Sequence, residues 1–266
     1  MIILKLQLEL TSYMKKIFKF FLLIIFTSQL FSQVNIESVR NTSNSSSLEL
    51  QFDLDFINTT KKNTEFTYET RYNYLFENDA VFLGVLKGEY FQQEADGVKQ
   101  DLENKGMLHL RYTHPIKTFF VEGFIQNEFD DFRALENRQL IGGGVRFPLT
   151  SSSFFDSMFV GTGAMYEKEV YNLENNLEIT ELKSTSYLTL SKVINENITL
   201  DTTMYYQFNT SKMKDYRLLA ISTMNFAIND RVGFFVRLDM REQAIPIDDS
   251  LDYNYAEVSL GMELNL

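Results

Sequence analysis

Apolar and polar residues alternate along most of this chain, and the pattern is clearest at its C-terminal end. The segment Y-N-Y-A-E-V-S-L-G-M-E-L-N-L (253–266) places apolar residues from Ala256 to Leu266 at every second position, and the intervening residues from Glu257 to Asn265 are polar or small. Successive side chains of a strand point to opposite faces, so the pattern predicts a strand with one apolar and one hydrated face. Such a strand at the C-terminus is typical of outer-membrane barrels.

Similar runs recur through the chain. The first is S-L-E-L-Q-F-D-L-D-F-I-N (47–58), and the next places Phe66 to Phe76 against charged and polar residues. Several runs reach ten residues, whereas strands of soluble proteins usually stop at five or six. Together with the terminal segment they predict an all-β fold, a transmembrane antiparallel up-and-down β-barrel of about twelve strands. The other runs lie near 80–90, 105–113, 118–127, 139–148, 157–167, 182–191, 198–208, 216–227 and 231–241, and the facing of 80–90, 118–127, 157–167 and 216–227 stays open.

The connections between these runs predict how the barrel is oriented in the outer membrane. An even strand count with both termini periplasmic makes every odd connection a surface loop and every even one a tight turn. The predicted surface loops are 58–63, 91–104, 128–137, 168–181, 209–215 and 242–252, and the predicted turns are 77–79, 114–117, 149–156, 192–197 and 228–230. A soluble sandwich or lipocalin-like barrel with its apolar face inward is the structural alternative. Dense aromatic residues at Tyr72, Tyr74 and Phe76, Tyr205 and Tyr206, and Tyr253 and Tyr255 favour the interfacial girdles of a membrane barrel.

The N-terminal segment predicts export. From Met14 the chain has a basic start, an apolar core of about a dozen residues and a small, polar end, which is the layout of a secretory signal peptide. We expect a signal peptide at 1–32 (with 1–13 upstream of the true start at Met14), a polar segment at 33–46 and the outer-membrane β-barrel at 47–266. The ending L-F-S-Q and the Lys/Asn/Phe-rich style suggest a Gram-negative bacterium of the Bacteroidetes type.

Composition narrows the functions. The chain has 25 basic and 36 acidic residues; four lysines and one glutamate of these lie in 1–32, so the mature chain carries a net charge of −14, which disfavours nucleic acid as a partner. With no cysteine and only two histidines, we expect no metal site and no cofactor. The Gly142-Gly143-Gly144 run lacks the G-K-[ST] of a phosphate loop and favours a bend or a close backbone approach. His109 is the sole candidate base, and no serine pairs with it by sequence, so we predict no catalytic residues and no enzyme.

Charged residues on the hydrated strand faces are the most informative candidates. In a small barrel they form a charge ladder that fills the lumen, or they line a narrow aqueous pore. The predicted ladder consists of Arg111, Glu122, Arg138, Arg146, Arg237, Asp239 and Arg241.

The segment E-F-D-D-F-R-A-L-E-N-R-Q-L-I-G-G-G-V-R-F-P-L resembles the salt-induced outer-membrane protein family (domain of unknown function 481). The matching positions are Phe129, Asp130, Phe132, Arg133, Arg138, Gly142, Gly143 and Gly144. Leu266 departs from the aromatic residue that usually ends an outer-membrane barrel. The resemblance implies an outer-membrane barrel and no catalytic residues.

The sequence thus predicts a porin-like membrane protein of the outer membrane, with a structural or small-pore role for ions or small solutes. The alternative is a surface protein whose acidic extracellular loops bind divalent cations or lipid headgroups, for example through Asp130/Asp131 or Asp248/Asp249. A barrel enzyme acting on lipid or peptide is the third possibility. Expected partners are outer-membrane lipid and lipopolysaccharide, and the barrel-assembly machinery during biogenesis.

Overall fold

Twelve antiparallel strands form the molecule in the computed structural model, which describes residues 46–58, 61–95, 98–149, 154–173, 176–247 and 254–265. The expected signal peptide and almost all of the polar segment 33–46 lie outside these residues. One short 3₁₀ helix, η1 (Asp131–Arg133), interrupts the strands. The strands are β1 (Ser47–Asn58), β2 (Lys61–Leu75), β3 (Val81–Ala95), β4 (Val98–Ile116), β5 (Phe119–Asp130), β6 (Leu135–Pro148), β7 (Ser157–Tyr171), β8 (Leu177–Asn195), β9 (Ile198–Asn209), β10 (Lys212–Ala227), β11 (Val232–Gln243) and β12 (Tyr255–Asn265).

Each strand pairs with its neighbours in sequence, and β12 returns to β1 to close the barrel. Closure satisfies the backbone groups between strands without help from water, as a hydrocarbon environment requires. The predicted twelve-strand up-and-down barrel is confirmed. We call the end with the β1–β2, β3–β4 and later odd connections the upper end, and the end with both termini the lower end.

The strands extend farther upward than the sequence pattern predicts, which corrects the predicted surface loops. Residues 91–104 lie mostly in β3 and β4, and only 96–97 separates those strands. Likewise 168–181 lies mostly in β7 and β8, so several upper connections are as short as the lower ones. The physical reason is that a strand above the apolar band is polar on both faces. The period-two signal therefore disappears although backbone pairing continues.

Register places most charged strand residues inside together with a few apolar ones such as Leu83, Val85 and Leu219, and it places an apolar band outside. Odd-numbered residues face the lumen in β1–β4 and β7–β12, and even-numbered residues do so in β5 and β6, which settles the four uncertain runs. On the outer wall Leu110, Ile125, Ile141, Tyr166 and Leu182 are successive register partners across β4–β8, and Ile141 is 59% exposed. A contiguous apolar band of this kind faces lipid, so the soluble alternative with its apolar face inward is excluded.

Aromatic side chains cluster at the lower end of this band. The rings of Tyr74 and Phe76 meet edge-on at 4.8 Å, and Phe76 meets Tyr112 at 5.9 Å. The prediction was wrong for Tyr205, which faces the lumen while Tyr206 faces out, since adjacent residues of a strand point to opposite sides. The side chains of Tyr253 and Tyr255 lie outside the described residues.

The longest lower connection, 149–156, is tied to β8 by Asp156. The backbone N–H of Val193 donates to Asp156 Oδ2 at 2.7 Å, and Lys192 Nζ lies 3.2 Å from the same oxygen. These contacts, above all the hydrogen bond from Val193, hold the pKa of the Asp156 carboxyl below its ordinary value. The carboxylate therefore keeps both contacts until the pH falls below that lowered pKa. In the described part of the chain, no helix is long and apolar enough to cross a membrane.

Candidate functional site

Arg138 lies at the centre of the upper part of the lumen. It is 1% exposed on β6, and its Nη1 donates to Glu128 Oε1 on β5 at 2.9 Å. Its Nε donates to Glu167 Oε2 on β7 at 2.8 Å and lies 3.3 Å from Glu169 Oε1. A guanidinium presents donors in a fixed fork, and here that fork is shared among three carboxylates.

Two of these carboxylates, Glu167 and Glu169, are also held by Arg217 of β10, which lies three strands from β7 in the twelve-strand barrel. Arg217 Nη1 donates to Glu167 Oε1 and its Nη2 to Glu169 Oε1, both at 2.9 Å. Lys183 of β8 also pairs with Glu167. Two strands separate β7 from β10 along the sheet, so the Arg217 contacts are chords across the lumen and do not run along its wall.

The short helix η1 closes the upper end of this cluster. Asp130 accepts the backbone N–H of Arg133 at 3.2 Å and its Nε–H at 2.7 Å. Ala134 follows in the left-handed region with φ 52°, which ends the helix and turns the chain into β6. Arg133 is thereby turned inward, where its Nη2 lies 3.7 Å from Glu128 Oε1.

A second charge cluster lies against β1 and β2. Arg71 donates to Glu49 Oε1 and to Glu69 Oε1, both at 2.6 Å. Arg237 of β11 reaches across β12 and β1 to Glu69 Oε2 at 3.2 Å, and its Nη2 donates to Gln51 Oε1 at 2.8 Å. This is a further contact between strands that are not neighbours.

The lumen also contains a small cavity with both polar and apolar lining. Tyr187 of β8 donates to Glu122 Oε2 of β5 at 2.7 Å, and Arg111 Nη1 lies 3.5 Å from the same oxygen. His109, Tyr205 and Gln126 line the cavity as well, and its free volume is about 40 Å³. Such a space holds a few water molecules and no organic solute, since one water needs roughly 10–15 Å³.

Glycines on β6 and β7 shape the wall of this cavity. Gly144 and Gly163 are register partners, and a Cβ on Gly144 would lie 2.4 Å from the Thr162 carbonyl oxygen. A Cβ on Gly161 would lie 2.1 Å from the Tyr187 ring, so that ring rests directly on the β7 backbone. The glycine-rich strand therefore provides a close approach, which is one of the two readings that its sequence allowed.

The seven residues of the predicted ladder all occupy the lumen face, but they do not form one chain of pairs. Glu122 pairs with Arg111, whereas Arg138 pairs with acids of β5 and β7. Arg146 stacks on the Phe159 ring with its Cζ 3.7 Å from the centroid. Arg241 donates to Gln243 Oε1 at 3.2 Å, and Asp239 lies opposite Glu257 in the register.

The residues that connect the upper cluster were missing from the sequence prediction. They fall in segments predicted to be surface loops, or in strand ends where the alternation was weak. The signal that could have revealed them is an even spacing from a lumen residue of the same strand, as between Glu128 and the predicted Glu122 on β5. They are Glu128, Glu167, Glu169, Lys183 and Arg217.

The structure also locates the candidates for other chemistry. His109 is 1% exposed in the lumen, where its Nδ1 lies 3.0 Å from Gln126 Oε1. Asp130, a predicted cation ligand, is engaged by Arg133, and Asp131 accepts from Asn104 at 3.0 Å. Asp248 and Asp249 lie outside the described residues, and the described residues include no group of three or more His, Asp or Glu that could hold a metal.

Comparison with known families gives one assignment. The family model described as "Protein of unknown function, DUF481" matches residues 37–256. This match confirms the resemblance predicted from the central segment and covers nearly the whole barrel. A search of curated proteins found no match.

Solved structures resemble the chain in fold. An outer membrane channel from Pseudomonas putida F1 has 8% sequence identity and a TM-score of 0.50, with 88% of this chain and 98% of that chain covered. The translocator domain of the autotransporter NalP from Neisseria meningitidis has 11% identity, a TM-score of 0.45 and coverages of 83% and 86%. The NanC porin has 7% identity, a TM-score of 0.44 and coverages of 82% and 97%. At these identities the first likeness supports the barrel fold and nothing finer, and the other two add no argument.

Proposed function

The chain belongs to the DUF481 family, and we propose that it is a structural barrel of the Gram-negative outer membrane whose lumen stays closed to solutes. One observation carries this proposal: buried ion pairs and hydrogen bonds cross the lumen between strands that are not neighbours. Arg217 crosses to Glu167 and Glu169, Arg237 to Glu69, and Tyr187 to Glu122. Each chord cuts across part of the cross-section through which a solute would pass, and together they start from strands all around the barrel.

The proposal includes a route to the membrane and an orientation. We expect the signal peptide at 1–32 to direct export, after which the barrel-assembly machinery inserts the strands. An even strand count then leaves both termini in the periplasm and the upper end at the cell surface. The apolar outer wall described above is what supports residence in a bilayer.

Electrical recording on the refolded mature chain in a planar bilayer tests the closed lumen. We expect no steady conductance above that of the empty bilayer, because the chords cross the lumen and the cavity lined by Glu122 and Tyr187 has room for water alone. The double variant Arg217→Ala/Arg237→Ala removes two chords and serves as the widened control, for which we expect single-channel steps. Steady channels of similar size in the unaltered protein would contradict the proposal.

A small cation-preferring pore along β11 and β12 is the second candidate. Its support is that Asp239 and Glu257 are register partners on the lumen side, and Glu257 is exposed to solvent there. Rings or rows of carboxylates favour cations in pores. If the unaltered protein conducts, Glu257→Gln should reduce its preference for K⁺ over Cl⁻, whereas Glu178→Gln on the outer surface should leave it unchanged.

A further inference from the structure

We propose that the outer wall of the barrel over β2–β7 binds one two-chain phospholipid, with a chain in each of two adjoining grooves and the phosphate at Lys168. We call this surface the wall site. It lies in the upper half of the barrel, outside the lumen, and does not depend on whether the lumen is closed. Two grooves and one row of polar side chains make up this surface.

The first groove runs over β4–β7. Leu110, Ile125, Ile141 and Tyr166 are successive register partners and form its apolar floor. Its volume is about 390 Å³. Grooves of a few hundred Å³ with an apolar lining are the usual size of small-molecule sites. A straight apolar trough on a lipid-facing wall fits an acyl chain.

A polar row borders this groove on its upper side. Asn127, Gln139 and Lys168 are successive register partners across β5–β7, two residues above the apolar row on every strand. All three face outward, and the Asn127 amide is held by donation to Asn137 Oδ1 at 2.8 Å. The outer wall therefore changes from apolar to hydrogen-bonding within one step, which is where a lipid headgroup meets its chains.

The second groove runs over β2–β5 and is formed by a glycine pair. Gly88 and Gly106 are register partners that face outward. The rings of Tyr68 and Phe129 occupy the space that side chains at these two positions would fill. A Cβ on Gly88 would lie 2.4 Å from the Tyr68 ring, and one on Gly106 would lie 2.6 Å from the Phe129 ring. The rings thus lie flat against the sheet and leave a trough of about 280 Å³.

The two grooves meet at Leu108 and Asn127, which line both. Asn127 is also one end of the polar row whose other end is Lys168, so a headgroup that lies along this row places its two chains in the two grooves. Lys168 is the outward-facing cation among the described residues that line the grooves, which matches a headgroup with a single phosphate. Its present partner Glu178 lies at 2.8 Å, but both side chains are largely exposed, so a phosphate displaces that pair at small cost.

Native mass spectrometry of the refolded chain in detergent, with dioleoyl phosphatidylglycerol added, tests the wall site. We expect one retained lipid per barrel. Leu108→Trp fills the ridge between the grooves and should weaken retention about tenfold, equivalent to roughly 1.4 kcal/mol. The matched control is Leu260→Trp on β12, an outward leucine 64% exposed, which should retain lipid like the unaltered protein. Should Leu108→Trp fail to refold, Ile125→Trp in the first groove replaces it.

The headgroup contact is tested separately. Lys168→Gln should weaken retention of the phospholipid several-fold and leave that of dioleoylglycerol, which lacks the phosphate, unchanged. Equal retention by Leu108→Trp and Leu260→Trp would overturn the wall site. Retention of a polyacylated glycolipid in place of the phospholipid, or a barrel dimer that disappears in Leu108→Trp, would assign the surface to another occupant and overturn the proposal as well.

Discussion

Arg217 Nη1 on β10 lies 2.9 Å from Glu167 Oε1 on β7, although two strands separate β7 from β10 in the sheet. Glu167 is also paired with Arg138 and Lys183, so one buried carboxylate joins three cations from three strands. Burying an isolated charge costs free energy, whereas pairing it with several opposite charges offsets much of that cost. This contact joins β7 to β10, two strands that do not pair with each other in the sheet.

Replacing the shared carboxylate should strongly destabilise the barrel. Glu167→Gln removes the carboxylate that three cations share and leaves their charges balanced only by Glu128, Glu169 and Glu181, so we expect a loss on the order of 3–5 kcal/mol. The matched control is Glu178→Gln, which breaks the exposed pair with Lys168 and should cost about 0–1 kcal/mol. Urea unfolding in detergent, followed by heat-modifiable migration on gels, measures both; equal losses would show that Glu167 is solvated.

Arg138 and Arg146 should behave differently although both lie on β6. Arg138→Ala removes a guanidinium shared among carboxylates and should cost about 3–5 kcal/mol. Arg146→Ala removes stacking on Phe159 and should cost about 0.5–2 kcal/mol. Neither variant should conduct in a planar bilayer, because the Arg217 and Arg237 chords remain. Conductance in either one would show that a single side chain closes the lumen.

The close approach of β6 and β7 predicts a sharp contrast between two glycine substitutions. Gly144→Ala drives a methyl group into the Thr162 carbonyl at 2.4 Å, and we expect a loss of about 1–3 kcal/mol as the strands separate. A Cβ on Gly123 meets nothing within 4 Å, so Gly123→Ala should be nearly neutral. The melting temperature of the refolded barrel compares the two, and an equal drop would contradict the assigned packing.

The seam where the barrel closes should be its weakest joint. Among the described residues, β1 and β12 pair from Glu49–Phe52 to Met262–Asn265, four positions, whereas β11 and β12 pair over ten. Because the chain has no cysteine, an introduced pair forms an unambiguous disulfide. Oxidised Leu50→Cys/Leu264→Cys should gain about 2–4 kcal/mol over its reduced form.

The control places a disulfide between β11 and β12, which pair over ten positions. Val236 and Leu260 are outward-facing register partners of β11 and β12. Val236→Cys/Leu260→Cys should resist heat less than the seam crosslink does, because that joint is already held by many pairs. Thermal unfolding of oxidised and reduced samples on the same gel gives the comparison; a larger gain at Val236/Leu260 would contradict the weak seam.

The sequence predicted which side chains point into the lumen wherever the other face of the strand was apolar. Arg111, Arg237 and Arg241 each stood opposite apolar neighbours in the sequence, and each lies in the lumen. Glu128 was missed because it lies in a segment predicted to be a loop. Glu167 and Lys183 were missed because they lie at the edge of the apolar band, next to Tyr166 and Leu182, where the alternation fades. Tyr205 was misassigned because an adjacent pair of tyrosines carries no information about which one faces lipid.

Alternation by itself determined that the clearly patterned strands have one apolar and one polar face, because a period of two fixes the face of each residue of a strand once one is known. It could not determine which charges meet. Partners such as Arg217 and Glu167 lie 50 positions apart on strands that are not neighbours, and only closure of the sheet brings them within 2.9 Å. Whether the interior is open or filled depends on those chords, and therefore on the tertiary structure.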